Sequence, residues 1–498
     1  MEDRVIDVDC QWLRSIYDQG NPFVFGEQSG LEPSVSIRRL CSQLDKWMDE
    51  ESQNASIVGS PLYPETRAGD LEVEQSLNHA IEAYAARWLH LALPTDSDGS
   101  TLTEVVKALW RRARRDMLRV INRPSYRSML SLLLFALTPI PAGIPDNEEL
   151  DGVSGQVCVH AALQQIQTLR ARQRSLQFNG ARVMLAAPNR ATSASPQSFA
   201  TINFINAEST AYWAALTFDT SASLTLGCRP LLSSGLFGCE SESSWRMVRT
   251  CSEVFREMTA EWNSAGLEMI DERANQVIAA GAAWKLLLWK LTANFKESLR
   301  DGHNEFEVTR SFASVSDAID KFDAIYKNLL IACYNRIHFF SQETKFRWYE
   351  LTLHYHLCIL MLVDIAEATD RRDLLLEFTS KKVDAESWVL NSLKFGLVSR
   401  YTLRRDPDSS TIEQQSSDNT ISSITVSLIA VDPYAHHVVA AVKLMQQAID
   451  RDYAVGKIST DAYHDLLSTL TETLSQLPQG SKSVQIAKNS VSSQPLYG

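Results

Sequence analysis

Apolar residues in this chain recur at steps of three and four far more often than they alternate. That periodicity restricts it to burying helix faces against one another. From Asp317 onward, Ala318, Ile319, Phe322, Ile325, Tyr326, Leu329, Leu330 and Cys333 form one stripe on a helix. Leu102, Val105, Val106, Leu109, Ala113 and Leu118 repeat the pattern behind Thr101 and Glu104, whose spacing is that of a capping box. Similar stripes fit residues 161–169, 274–291, 348–366 and 440–477, the last broken near Gly456. Alternating runs flanked by turn residues are scarce. The pattern predicts an all-α protein.

Three stretches interrupt the helices: 186–198, 231–244 and 404–423. The last is polar and nearly lacks apolar anchors, so it cannot offset its chain entropy by burial and is expected to be a mobile loop. Helical character is the same on either side of it. The expected organisation is therefore an N-terminal segment (1–34), one helical domain (35–403), a flexible polar loop (404–424), C-terminal helices packing on the same domain (425–480) and a disordered tail (481–498).

Charge and cysteine usage narrow the function classes. Lys and Arg number 48 against 60 Asp and Glu in 498 residues, a formal charge of −12. Such a balance argues against broad binding to a phosphate backbone, which needs a basic face. The apolar windows 129–136 and 357–363 are short against the roughly 20 residues a bilayer span takes, and the N-terminus is acidic. No membrane partner and an intracellular place, nucleus or cytoplasm, are expected. Cys10, Cys41, Cys158, Cys228, Cys239, Cys251, Cys333 and Cys358 lie far apart and read as reduced core thiols.

One segment is more specific. Between Tyr212 and Pro230, an apolar run with Trp213 and Phe218 carries Asp219 and Ser223, breaks at Gly227 and closes with Arg229 and Pro230. It resembles the Trp…Asp…Ser…Gly-Arg-Pro signature in the regulatory (middle homology) region of fungal binuclear-zinc-cluster transcription factors. Residues 83–88 and 110–115 look like that region's first helices, 132–139 like the apolar helix after them, and 353–362, with Tyr355 and His356, like its late Tyr-His helix. These matches run in order over about 35–400. Two departures stand out. Cys228 separates Gly227 from Arg229, and no cysteine pair has the Cys-x2-Cys spacing of the family's zinc module, since Cys10 is followed only by Cys41.

Candidate site residues each carry two readings. Asp219, Ser223 and Arg229 could form a polar cluster at the mouth of a helical cavity and orient a ligand. Equally, Asp219 could pair with an Arg inside the fold while Ser223 bonds a preceding carbonyl. His354 and Cys358, one turn apart, have metal-ligand reach but no evident third partner, so they read as a buried imidazole and thiol and no metal is expected. His354 and His356 do not share a helix face, and the pair His436 and His437 offers less. Arg111, Arg112, Arg114 and Arg115 read as a solvated face or internal ion pairs. The dispersed tryptophans are core, or else line a cavity for an apolar molecule. No nucleophile elbow, phosphate loop or dinucleotide fingerprint occurs, so no cofactor is expected.

The resemblance implies a transcription-regulator-like protein without its own zinc cluster. Such a protein would act as a co-regulator through a DNA-binding protein partner, with no direct sequence-specific DNA contact, and could serve a secondary-metabolite gene cluster. An apolar small-molecule effector is a second partner it allows. A zinc-cluster segment lying outside this sequence is another reading. The alternative from a different class is a co-opted non-metal enzyme, of cyclase or isomerase type, acting on an apolar natural product, with Asp219, His354 and His356 as acid–base candidates.

Overall fold

The computed structural model describes residues 37–55, 65–92, 99–150, 154–173, 177–179, 182–184, 202–226, 228–232, 235–264, 268–376, 378–403 and 424–492. Of these, 83% are helical. The longer helices are α1 (Ile37–Ala55), α2 (Glu65–Ala85), α3 (Gly99–Val120), α4 (Tyr126–Leu137), α5 (Gly155–Gln173), α6 (Ile202–Thr225), α7 (Ser243–Ser264), α8 (Asp271–Arg300), α9 (Glu305–Phe322), α10 (Asn328–Arg336), α11 (Gln342–Ala368), α12 (Thr379–Val398), α13 (Ala435–Ala454), α14 (Thr460–Gln476) and α15 (Lys482–Ser492). Strands are confined, among the described residues, to two antiparallel pairs, β1 (Gln177–Asn179) with β2 (Arg182–Met184), and β3 (Arg400–Leu403) with β4 (Ile424–Ser427). The all-α class predicted from periodicity therefore holds.

Where one domain over 35–403 was expected, the chain divides into two compact units. The first comprises Met1–Ala86, Lys107–Thr138 and Ile144–Ser234, and the second Arg87–Val106, Pro139–Gly143 and Gly235–Gly498. The expected disordered tail needs a correction. Residues 482–492 form α15, with Val484 and Ala487 buried. Its start is held by main-chain bonds from Ala142 N–H to Gly480 O and from Lys482 N–H to Ile140 O (2.6 and 2.8 Å). The N-terminal segment 1–34 and the loops expected at 186–198 and 404–423 lie outside the described residues.

In the first unit α4 is central. Met129 through Phe135 are buried around the whole helix, leaving no polar stripe, and it packs on α1, α2 and α5. Its first turn is capped twice. The Ser125 hydroxyl accepts from Ser128 N–H (3.0 Å), and Asp45 on α1 accepts from Tyr126 N–H (2.6 Å), Arg127 N–H (3.1 Å) and the Arg127 guanidinium (2.8 Å). A cap of this kind contributes about 1 kcal/mol. Of the α3 arginines singled out, Arg111 forks onto Glu148 (2.6 and 2.8 Å) and Arg112 faces Glu82 (3.8 Å), Arg114 donates to the Glu148 and Glu149 carbonyls, and Arg115 is exposed. Thr101 sits inside α3, which begins at Gly99; a full capping box is found instead at Asn304 and Glu307.

In the second unit α8 and α11 form the core, with α12 and α13 laid on α11. α11 is long and apolar enough to cross a bilayer by length and composition, although each apolar window read from the sequence is too short. Most of its side chains are buried among the other helices of the unit. Gly396 lets α12 approach: a Cβ there would sit 2.7 Å from Tyr349 Cε2 and 2.9 Å from Ile429 Cγ1. Gly456, at φ +71°, ends α13 in the left-handed conformation that costs glycine least. Between α9 and α10 lies one π-helical turn, Asp323–Lys327. The seven cysteines among the described residues are buried, as their spacing predicts.

Candidate functional site

The residues singled out from sequence fall into separate places. Asp219, Ser223 and Arg229 belong to the first unit, His354 and His356 to the second. Asp219 is buried near the end of α6, and its two carboxylate oxygens accept from Leu231 N–H (2.8 Å) and Leu232 N–H (3.0 Å). It thereby ties down the chain after the Cys228-Arg229-Pro230 turn. Ser223 donates to Thr220 O (2.8 Å), the backbone-bonding reading of that residue. Cys228 is buried and Arg229 exposed. The arrangement is a carboxylate clamp on a loop. Charge-assisted bonds to two N–H groups make it strong, and they occupy the oxygens a ligand would need.

On α11, residues two apart point to nearly opposite sides, since each step turns about 100°. His354 enters a buried cluster of rings. His437 Nδ1 lies 3.3 Å from His354 Nε2, Trp289 Nε1 donates to His354 O (3.0 Å), and the His437 ring lies between Trp289 (4.9 Å) and Tyr434 (5.1 Å, stacked). Burial holds His354 and His437 well below the usual imidazole range, and His436 at about 4. Asp432, which accepts from Tyr434 N–H (2.7 Å) and Tyr349 O–H (3.2 Å), is raised by burial to about 6. Arg87 braces the same region by donating to Pro433 O (3.0 Å), its guanidinium 4.2 Å over Trp88. Cys358 bonds Thr292 (3.4 Å), and burial pushes its thiol up to about 12. Among the described residues no group of three side chains could hold a metal ion.

His356 faces the other way, into a cleft between α9, the π turn, α10, α11 and α12. Its volume is about 310 Å³ counting the open mouth. Trp348, Thr352 and His356 line it at four-residue steps along α11, with Tyr355 beside them and Trp388 opposite on α12. The His356 ring stacks on Trp388 (5.6 Å, 13°), and Phe322 stacks on Tyr355 (3.7 Å, 16°). Asp323, on the π turn, accepts from Tyr355 O–H (3.0 Å) and is raised by burial. Lys327 is paired with Asp384 (3.0 Å).

Two polar atoms give the cleft its character. His356 Nδ1 is 2.8 Å from Thr352 O, and a carbonyl can only accept, so Nδ1 carries the hydrogen. Burial keeps the ring neutral, with its pKa down at about 4, which leaves Nε2 a bare acceptor. The Thr352 hydroxyl is buried without a hydrogen-bond partner among the described residues. Sequence reading found His356 but missed Thr352 and Trp388. The spacing of Trp348, Thr352 and His356 was a usable signal; nothing in the sequence placed Trp388 or Asp323 against them.

Scanned against protein-family models, the curated proteins and the solved structures, the chain matches none of them.

Proposed function

We propose that this chain is the effector body of a fungal-type transcription regulator, acting through protein contacts as a co-regulator of a DNA-binding partner. The reading rests on the ordered resemblance between 35 and 400, and one observation carries it furthest. The most specific residues of that resemblance, from Trp213 to Pro230, form one local device, in which Trp213 is buried and Asp219 ties down the loop beyond the Arg-Pro turn. A motif with a structural task marks a fold more than a chemistry, which is what likeness to a regulatory body requires. The acidic charge and the lack of zinc-module cysteine spacing in these 498 residues support a partner as the base reader. A nuclear place and service to a secondary-metabolite gene cluster belong to the same proposal.

The enzyme reading has less support. Of its three acid–base candidates, Asp219 is committed to two backbone N–H groups and His354 is buried against Trp289 and His437, which leaves His356 alone. Transcript profiling of a deletion strain, with chromatin immunoprecipitation of the tagged chain, separates the two. A regulator changes a gene set and is found at its promoters. Unchanged transcripts, with turnover of a pathway intermediate by the purified chain, would overturn the proposal.

A further inference from the structure

The cleft beside His356 has the make-up of a binding site. Its walls include the half-buried Trp388 indole, on which His356 stacks (5.6 Å), and the edge of Trp348, which is buried beneath Tyr334. Its enclosed part takes about one water molecule, while the remainder is open to solvent. At its polar end are the hydrogen-free Nε2 of His356 and, one turn away, the unpartnered hydroxyl of Thr352. A buried hydroxyl without a partner is unfavourable, and a donor–acceptor group seated there would relieve it. Charge excludes other classes. A carboxylate would meet Asp323, and the Lys327 that could welcome it is taken by Asp384. An ammonium would meet Lys327, and the Asp323 carboxylate already accepts from Tyr355.

We propose that this cleft binds a neutral, single-ring aromatic molecule carrying a hydroxyl group, a phenol in chemical class. The ring lies against Trp388 in the open part. The hydroxyl fills the water-sized end, donating to His356 Nε2 and accepting from Thr352. The inference goes beyond the regulatory reading, because binding here belongs to the second unit and is measured without any partner or promoter.

Fluorine NMR on the full chain tests it, with para-fluorophenol as probe and para-fluoroanisole as its twin lacking the donor hydrogen. Saturable broadening of the phenol is expected, with the anisole weaker by about fivefold to tenfold, the worth of one neutral hydrogen bond. Trp388→Ala should weaken the phenol by about tenfold or more. Thr352→Val should weaken the phenol by about twofold to tenfold through loss of the hydrogen bond its oxygen accepts, and circular dichroism checks that each variant keeps its helices. The wild-type comparison stands whether or not a variant folds. No saturable binding, equal affinity for the anisole, tighter binding of benzylammonium or benzoate, or a Trp388→Ala variant that binds as before would each overturn the site.

Discussion

The two faces of α11 carry a histidine each, two positions apart, and give them different chemistry. His354 is closed in by Trp289, His437 and Tyr434, and its Nε2 meets another imidazole nitrogen. His356 is half-buried, pinned through Nδ1 and open to the cleft through Nε2. Both rings are kept neutral by burial. What separates them is the covering layer: α8 and α13 seal the first face, whereas the second opens on the cleft that the π turn after α9 helps to line. π turns recur at functional sites because they break the regular ladder. Residue type says little here, and cover decides.

Acid should break the comparison most strongly. An imidazole whose folded pKa lies below its unfolded value of about 6.5 disfavours the folded state once pH falls beneath that value. The unfolded chain then binds more protons, so stability drops from about pH 6.5 toward about 4, the range set by His436, with His354 and His437 moving the same way. Each contributes at most about 1.4 kcal/mol per pH unit. Asp432 opposes them: its folded pKa of about 6 lies above the unfolded one, so its contribution is present at low pH and lost as pH rises through 6. Urea unfolding between about pH 7 and 4.5 should show a net fall, flatter in His437→Gln and steeper in Asp432→Asn. His356, half-buried like His436 and likewise held at about 4, should add a comparable fall. A flat profile would mean the closed face is not dry.

Truncation should sharpen the contrast. Trp289, 3% exposed and bonded to His354 O, should cost about 3–5 kcal/mol when replaced by Ala. Trp388, half-buried on the cleft side, should cost only about 1–2 kcal/mol. Equal losses in thermal unfolding would erase the distinction between the faces. Next in size is Gly396→Ala on the sealed side. Its new methyl group would crowd Tyr349 and Ile429, an overpacking cost of about 1–3 kcal/mol.

These differences mark how much was legible beforehand. The stripe from Ala318 to Cys333 is buried at every position named, because a single helix face depends on local period alone. That His354 and His356 part ways also follows from the period. The neighbours of each do not. His437 meets His354 across 83 residues, and Tyr349 meets Asp432 across the same separation, a pairing set by how helices pack. The π turn is invisible for a subtler reason: Phe322, Ile325 and Tyr326 keep a helical stripe through it. Asp219 could be picked out by its place in a motif, yet its partners are backbone N–H groups, which any residues at 231 and 232 other than proline would supply.

The smallest effect is the most discriminating. Thr352→Val swaps a hydroxyl for a methyl group of nearly the same size at the floor of the cleft. Were the hydroxyl bonded, as Thr344 on the same helix is to Asp271 (3.1 Å), its loss would cost about 1 kcal/mol or more. Buried and unpartnered, it already bears the desolvation penalty without the bond, so the valine should leave stability unchanged or raise it by about 1 kcal/mol. A hydroxyl that contributes no bond to the fold, placed beside an acceptor nitrogen and Trp388, suits the phenol proposed for the cleft. A destabilised valine variant in thermal unfolding would show instead that the hydroxyl serves the fold, and the two faces of α11 would then differ in exposure only.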